Sequence, residues 1–169
     1  LGFPTIFNML GPLCNPARAP FQLLGVGRPA LRPLLARALM RLGSERAAVV
    51  CGQDGLDEVT LAGSTDVSLL SGDSSTELTW SPGDFGLSER PLDTLQVDGP
   101  AASAAMIQKV LAGQSGAARD IVVLNAAAAI WTARQSTGLP EAAARAQEAI
   151  DTGAAKRLLR KLGEMSHQS

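Results

Sequence analysis

The chain has 169 residues, 46% hydrophobic and 18% charged, which is enough apolar matter for one sizeable core and excludes wholesale disorder. With 15 Lys and Arg against 16 Asp and Glu, the net charge of −1 argues against a broad nucleic-acid surface, which needs clustered cations. No apolar run approaches the roughly 18 residues of a membrane span, and no signal-peptide pattern stands at the start.

The chain opens at Leu1 inside the apolar stretch LGFPTIFNMLGP, so a piece of a longer chain is expected. Pro4, Pro12, Pro16 and Pro20 break up the first twenty residues and leave room for only a short helix over residues 5–10, capped by Thr5. Asn8 and Asn15 lie here among apolar residues; binding of loop backbone is the favoured reading over a ligand contact. Residues 21–27, FQLLGVG, read as a buried strand closed by glycine. Leu31, Leu34, Leu35, Ala38, Leu39 and Leu42 then repeat along one helical face, with Pro29 and Pro33 near its first turn and Gly43 at its end. RAAVVCG, residues 46–52, is a second buried strand. Strand, helix and strand with short connections predict a parallel βαβ unit with a right-handed crossover.

Residues 65–80 alternate in character on both sides of SGDSS, which predicts an antiparallel hairpin. SPGDFGLSERPLDTL reads as loop. From Gly99 the pattern is helical: PAASAAMIQKVLAG ends at Gly113, ARDIVVLNAAAAIWTARQ is apolar nearly all round and reads as a central buried helix, and two amphipathic helices follow on either side of Gly153. The Leu/Ala face of the first helix and the apolar segment 121–131 are expected to share one core, and apolar surface is expected to be left open around residues 1–20. Cys14 and Cys51 form no C-x-x-C pair and read as two buried thiols of a cytosolic protein, so a cytoplasmic location is expected.

The chemistry concentrates in QDGLDEVT, residues 53–60. Asp54, Asp57 and Glu58 follow directly from the second strand, and ligands of parallel α/β sheets bind at the carboxyl ends of strands. Two readings fit. The carboxylates share a cation, most suitably Mg²⁺ held jointly with substrate phosphates, or Asp54-Gly55 is a turn and Asp57 and Glu58 are merely solvated. Asn125, inside an apolar helix, needs a partner and is expected to tie that helix to a loop. His167 is the one histidine and sits in the tail, there is no Tyr, and no Ser/His/Asp or Cys/His set or P-loop is present. GVGRPA lacks the third glycine of a dinucleotide fingerprint. Lys156, Arg157, Arg160 and Lys161 on the last helix read as a solvated basic face.

LGFPTIFNMLGPLCNPA, QLLGV, RAAVVCGQDGLDEVTLAG, FGL and LAGQSGAARDIVVLNAAAAIW, in this order and spacing, resemble the C-terminal half of the anthranilate phosphoribosyltransferase family. The resemblance implies an α/β fold, a mainly parallel sheet flanked by helices with an antiparallel hairpin, of the nucleoside phosphorylase/phosphoribosyltransferase type, with residues 1–169 forming the C-terminal part of the α/β domain. It implies transfer of the 5-phosphoribosyl group from phosphoribosyl pyrophosphate (PRPP) to anthranilate in tryptophan biosynthesis, giving N-(5-phosphoribosyl)anthranilate and pyrophosphate. It implies Mg²⁺, with Asp57 and Glu58 matching the family's metal-binding pair. No catalytic side chain is implied, because the acceptor amine is already a nucleophile. Pro4 stands where many members carry the Arg that contacts the anthranilate carboxylate. The family's Gly-rich PRPP loop, its Lys-His-Gly-Asn segment and the helical domain through which it dimerises match nothing in these residues, so the chain alone is expected to be inactive. A non-catalytic paralogue binding nucleic acid or another ligand, and a pyrimidine nucleoside phosphorylase relative, are the alternatives; neither nucleic acid nor a membrane is expected as a partner.

Overall fold

The computed structural model describes residues 11–166. Pro4, Asn8, His167 and the short helix expected over residues 5–10 lie outside them.

Four strands form one sheet in the order β1-β2-β3-β4: Phe21–Gly25, Arg46–Gly52, Thr65–Ser71 and Ser74–Trp80. The βαβ unit is present, since β1 pairs parallel with β2, Phe21 opposite Arg46 and Gly25 opposite Val50, and helix α1 (Arg32–Arg41) connects them. The hairpin is present too. β3 and β4 pair antiparallel from Thr65 opposite Trp80 to Ser71 opposite Ser74. Gly72 has a φ of +57° while Asp73 stays out of the left-handed region, the pattern of a type II′ turn that matches strand twist. The balance of the sheet differs from expectation, because β2 and β3 are also antiparallel and only one of the three pairings is parallel. A parallel partner needs a crossover of a dozen residues or more, usually a helix. Residues 53–64 between β2 and β3 hold no helix and fold back instead.

Side chains of β2 alternate between two cores, as strand geometry requires. Ala47, Val49 and Cys51 face α1, packing with Leu35, Ala36 and Leu39. Ala48 and Val50 face the other way, into a larger core with Val67, Trp80, Phe85 and three helices, α2 (Gly99–Leu111), α3 (Ala117–Thr132) and α4 (Leu139–Asp151). The expectation of one shared core is therefore corrected: the sheet stands between α1 and segment 121–131. The α1 stripe is also shifted, with Ala36 buried while Leu34 and Leu42 are exposed. Helix α3 is buried along Val123, Leu124, Ala127, Ala128 and Thr132 and open at Val122, so it flanks the sheet rather than running through the centre. Its many alanines made both faces look alike.

Helix ends follow the punctuation in the sequence. Pro33 lies in the first turn of α1, and Gly43, at φ +84°, closes it with paired bonds from Gly43 N–H to Met40 and from Ser44 N–H to Leu39. Helix α3 ends with the same bond pattern, but with Arg134 at φ +56°, a conformation that costs a side-chain-bearing residue about 1 kcal/mol. Arg46 holds this corner. Its guanidinium lies 3.9 Å from the Trp131 ring centroid and donates to the Trp131 carbonyl at 3.0 Å, and Trp131 meets Trp80 edge to face. Burial and the nearby Arg134 charge lower the Arg46 pKa.

Helix α5 (Ala154–Ser166) follows the break at Gly153. Lys156, Arg157, Arg160 and Lys161 are exposed, as a solvated face should be; Arg157 donates to the Thr152 carbonyl, and Arg160 pairs with Glu164 across one turn. Open apolar surface lies here, at Leu158, Leu162 and Met165, whereas half of the segment 1–20, where it was expected, lies outside the described residues. Of the two thiols expected to be buried, Cys51 is and Cys14 is exposed; both are free, and burial raises the Cys51 pKa. No helix among the described residues is long and apolar enough to cross a membrane.

Candidate active site at the carboxyl ends of the parallel strands

Because β1 and β2 run parallel, their carboxyl ends meet on one rim, where Gly25 leads into residues 26–28 and Gly52 into residues 53–64. Asp54, Asp57 and Glu58 all lie on this rim and all are exposed. They do not act alike.

Asp54 is a turn residue. Its Oδ1 accepts from the Leu56 N–H at 3.0 Å and its Oδ2 from the Thr60 hydroxyl at 2.6 Å. Thr60 Oγ1 in turn accepts from the Ala62 N–H, and the Thr60 N–H donates to Thr65 Oγ1. Gly55, at φ +89°, completes the reversal, with Gly55 N–H bonded to Gly52 and Gly52 N–H to the Leu56 carbonyl. Both Asp54 oxygens are thus committed to shaping the loop.

Asp57 and Glu58 project where the loop crosses the end of β1. The crossing is close: a Cβ placed on Gly25 would stand 1.6 Å from the Asp57 carbonyl oxygen and 2.5 Å from its carbonyl carbon. Among the described residues, every ion pair of the protein is made elsewhere, at Arg32, Arg90, Arg119 and Arg160, so the two neighbouring carboxylates have no cation opposite them. Partial burial of the otherwise exposed Glu58 side chain pushes its carboxyl above its ordinary pKa, and the adjacent Asp57 charge adds to that shift. Among the described residues no group of three or more His, Cys, Asp or Glu side chains comes together, so no all-protein metal cage is formed. Two exposed carboxylates side by side, with no counter-charge among the described residues, suit a hard divalent cation that takes its other ligands from water and phosphate.

The far side of the loop is fixed by Asn125 of α3. Its Oδ1 accepts from the Val59 N–H at 2.9 Å, and its Nδ2 donates to the Val59 carbonyl at 2.9 Å and to the Ile121 carbonyl at 3.1 Å. The expectation that Asn125 ties its helix to a loop holds, and the loop is the one that carries the carboxylates. Asn15, by contrast, accepts from the Ala17 N–H within its own turn. An apolar groove of about 440 Å³, lined by Leu56, Leu95, Val97, Ile107 and Val122, opens beside Glu58. A cavity of about 520 Å³ near Cys14, Arg18, Gln22 and Ser44 lies at the opposite end of the strands, away from the carboxylates.

Sequence reasoning missed Gly25 and Thr60. The one available signal for Gly25 was a glycine at the carboxyl end of a strand whose parallel neighbour carries a loop that must cross it. Thr60 gave no sign, because a Thr bonded to an Asp six residues earlier looks like any polar loop residue. Pro4, like His167, lies outside the described residues.

The fold has close counterparts. The family model described as glycosyl transferase family, a/b domain, matches residues 1–156. The anthranilate phosphoribosyltransferase of Desulfitobacterium hafniense is 47% identical over 162 residues, covering 96% of this chain and 48% of that protein. The crystal structure of anthranilate phosphoribosyltransferase from Thermus thermophilus superposes with a TM-score of 0.86 at 37% identity over 95% of this chain and 47% of that one. The Saccharomyces cerevisiae enzyme in complex with PRPP and Mg superposes with a TM-score of 0.84 at 32% identity over 94% of this chain and 46% of that one. The chain spans about half the length of the curated relatives it matches. With the family model covering nearly all of it, the chain belongs to the glycosyl transferase family through its a/b domain.

Proposed function

We propose that the chain forms the C-terminal part of the α/β domain of a longer phosphoribosyltransferase, which transfers the 5-phosphoribosyl group from PRPP to the amino group of anthranilate and releases pyrophosphate in the tryptophan pathway. The observation that carries the reading is the Asp57–Glu58 pair, exposed and without a counter-charge among the described residues, at the carboxyl ends of β1 and β2, in a chain 47% identical to an anthranilate phosphoribosyltransferase across 96% of its length.

Asp57 and Glu58 would hold Mg²⁺. Bound there, the ion supplies positive charge to a pyrophosphate leaving group. The chain's own residues supply position. Gly25 lets the loop lie flat against β1, the Asp54–Thr60 bond closes its turn, and Asn125 anchors its exit. The attacking amine is already a nucleophile, so no residue of this chain is assigned as its general base. Pro4 cannot donate a guanidinium fork, so either a basic group elsewhere in the enzyme recognises the acceptor carboxylate or the acceptor differs. A cytoplasmic location and a dimer built through the other domain complete the proposal.

The test is pyrophosphate release by the whole enzyme. The expected result is turnover that needs PRPP, anthranilate and Mg²⁺ together. Turnover of a pyrimidine nucleoside with phosphate, and none with PRPP and anthranilate, would overturn the reading.

A further inference from the structure

We infer that Asn125 is the positioning residue of the Asp57–Glu58 pair, acting from α3 through the backbone of Val59. The inference rests on the proposed role of that pair as metal ligands.

The side chain of Asn125 is fully used. Its one carboxamide oxygen takes the Val59 N–H and its two N–H groups go to the Val59 and Ile121 carbonyls. It thus grips both polar groups of one loop residue and holds them to the backbone of its own helix one turn back. Ordinary helix–loop packing does not need this. Val59 is completely buried, with its side chain in the large core, and the residue before it is Glu58. The peptide that joins Glu58 to Val59 carries the N–H that Asn125 binds, so the clamp acts on the peptide unit that begins at the Glu58 α-carbon. On the other side of the pair, the Asp57 carbonyl rests directly over Gly25. The two carboxylates are therefore held between β1 beneath and α3 behind, with Asp54 and Thr60 setting the turn.

The chemistry of the amide is specific. An aspartate at 125 would keep the acceptor for the Val59 N–H and lose both donors, leaving a carboxylate facing two carbonyl oxygens. A serine is too short to grip both groups. Supporting partners that orient metal-binding side chains typically change metal affinity about 10–100-fold when removed.

The experiment measures Mn²⁺ affinity, by electron paramagnetic resonance of the free ion, in the whole enzyme with PRPP present. The variants are Asn125→Ser, Asn125→Asp and the pair variant Asp57→Asn with Glu58→Gln. Thr132→Ala, which removes a buried hydroxyl bonded to Ala128 on the same helix, controls for a general loosening of α3. The expected result is Mn²⁺ binding weakened about 10-fold or more by both Asn125 variants, with near-wild-type affinity in Thr132→Ala. Amide exchange over residues 57–59 should speed up in the Asn125 variants at the same time, a readout independent of turnover and usable with whichever of the two variants folds. If the pair variant weakens Mn²⁺ binding and the Asn125 variants do not, Asn125 is structural only and the inference is overturned while the metal reading stands. If the pair variant binds Mn²⁺ as wild type does, the metal reading and the inference fall together.

Discussion

Replacing Asp57 by Asn and Glu58 by Gln together, in the whole enzyme, is expected to lower kcat about 100-fold or more while leaving the fold intact, a loss of the order seen when one preorganised electrostatic group is removed. Both replacements keep size and shape. Both side chains are exposed, and the bonds that shape the loop run through Asp54, Thr60, Asn125 and backbone, not through the pair. What changes is two negative charges at a rim where no Lys or Arg among the described residues pairs with them. Stability should hold or rise, because the charged form of Glu58 is disfavoured by the partial burial of its side chain and by Asp57. The sign follows from the raised pKa: protonating Glu58 is easier in the folded state than in the unfolded one, so its ionisation works against folding as pH rises through its titration. Kinetics in which kcat falls, the Mg²⁺ optimum shifts upward and the melting temperature does not drop would fit. An unaltered Mg²⁺ requirement would remove the pair from the mechanism.

Gly25→Ala should be the most damaging small substitution on the rim. One methyl group would have to occupy space 1.6 Å from the Asp57 carbonyl oxygen, a backbone atom that cannot swing aside as a side chain can. Overpacking of this kind costs about 1–3 kcal/mol and more where backbone must move. We expect at least about 3 kcal/mol of lost stability by urea unfolding, together with a displaced Asp57–Glu58 pair. Gly27→Ala is the paired control. Its nearest neighbour would be the Gly55 carbonyl oxygen at 3.9 Å, ordinary contact, and its backbone is not left-handed, so a change within about 0.5 kcal/mol is expected. Equal effects of the two substitutions would mean that the loop does not rest on β1 as described.

The elements were legible where side-chain period and punctuation agreed. FQLLG, RAAVVCG and the 65–80 hairpin were read as strands from apolar runs and turn residues, and the helix from Gly99 from its prolines and glycines. Two inferences about assembly went wrong. Periodicity says which face of an element is apolar but not what lies against it. Segment 121–131 and α1 both needed apolar partners, and each found the sheet, from opposite sides. The parallel βαβ unit suggested a mainly parallel sheet, yet the loop that carries the carboxylates is what prevents it, since residues 53–64 turn the chain back instead of crossing over. At the site, the Asp-Gly step offered a turn at Asp54 as one of two readings and did not decide between them. Only the hydrogen bonds to Leu56 and Thr60 separate a turn-forming aspartate from one that stays free to bind. Asn125 was legible as a polar residue in need of a partner, because an amide inside an apolar helix has few alternatives.

Whether the Asp57–Glu58 pair holds the metal is decided by anomalous diffraction from crystals of the whole enzyme grown with Mn²⁺ and PRPP. The expected result is an ion within about 2.3 Å of a carboxylate oxygen of Asp57 or Glu58, with phosphate oxygens and water completing its shell. An ion bound to PRPP and touching neither carboxylate would contradict it.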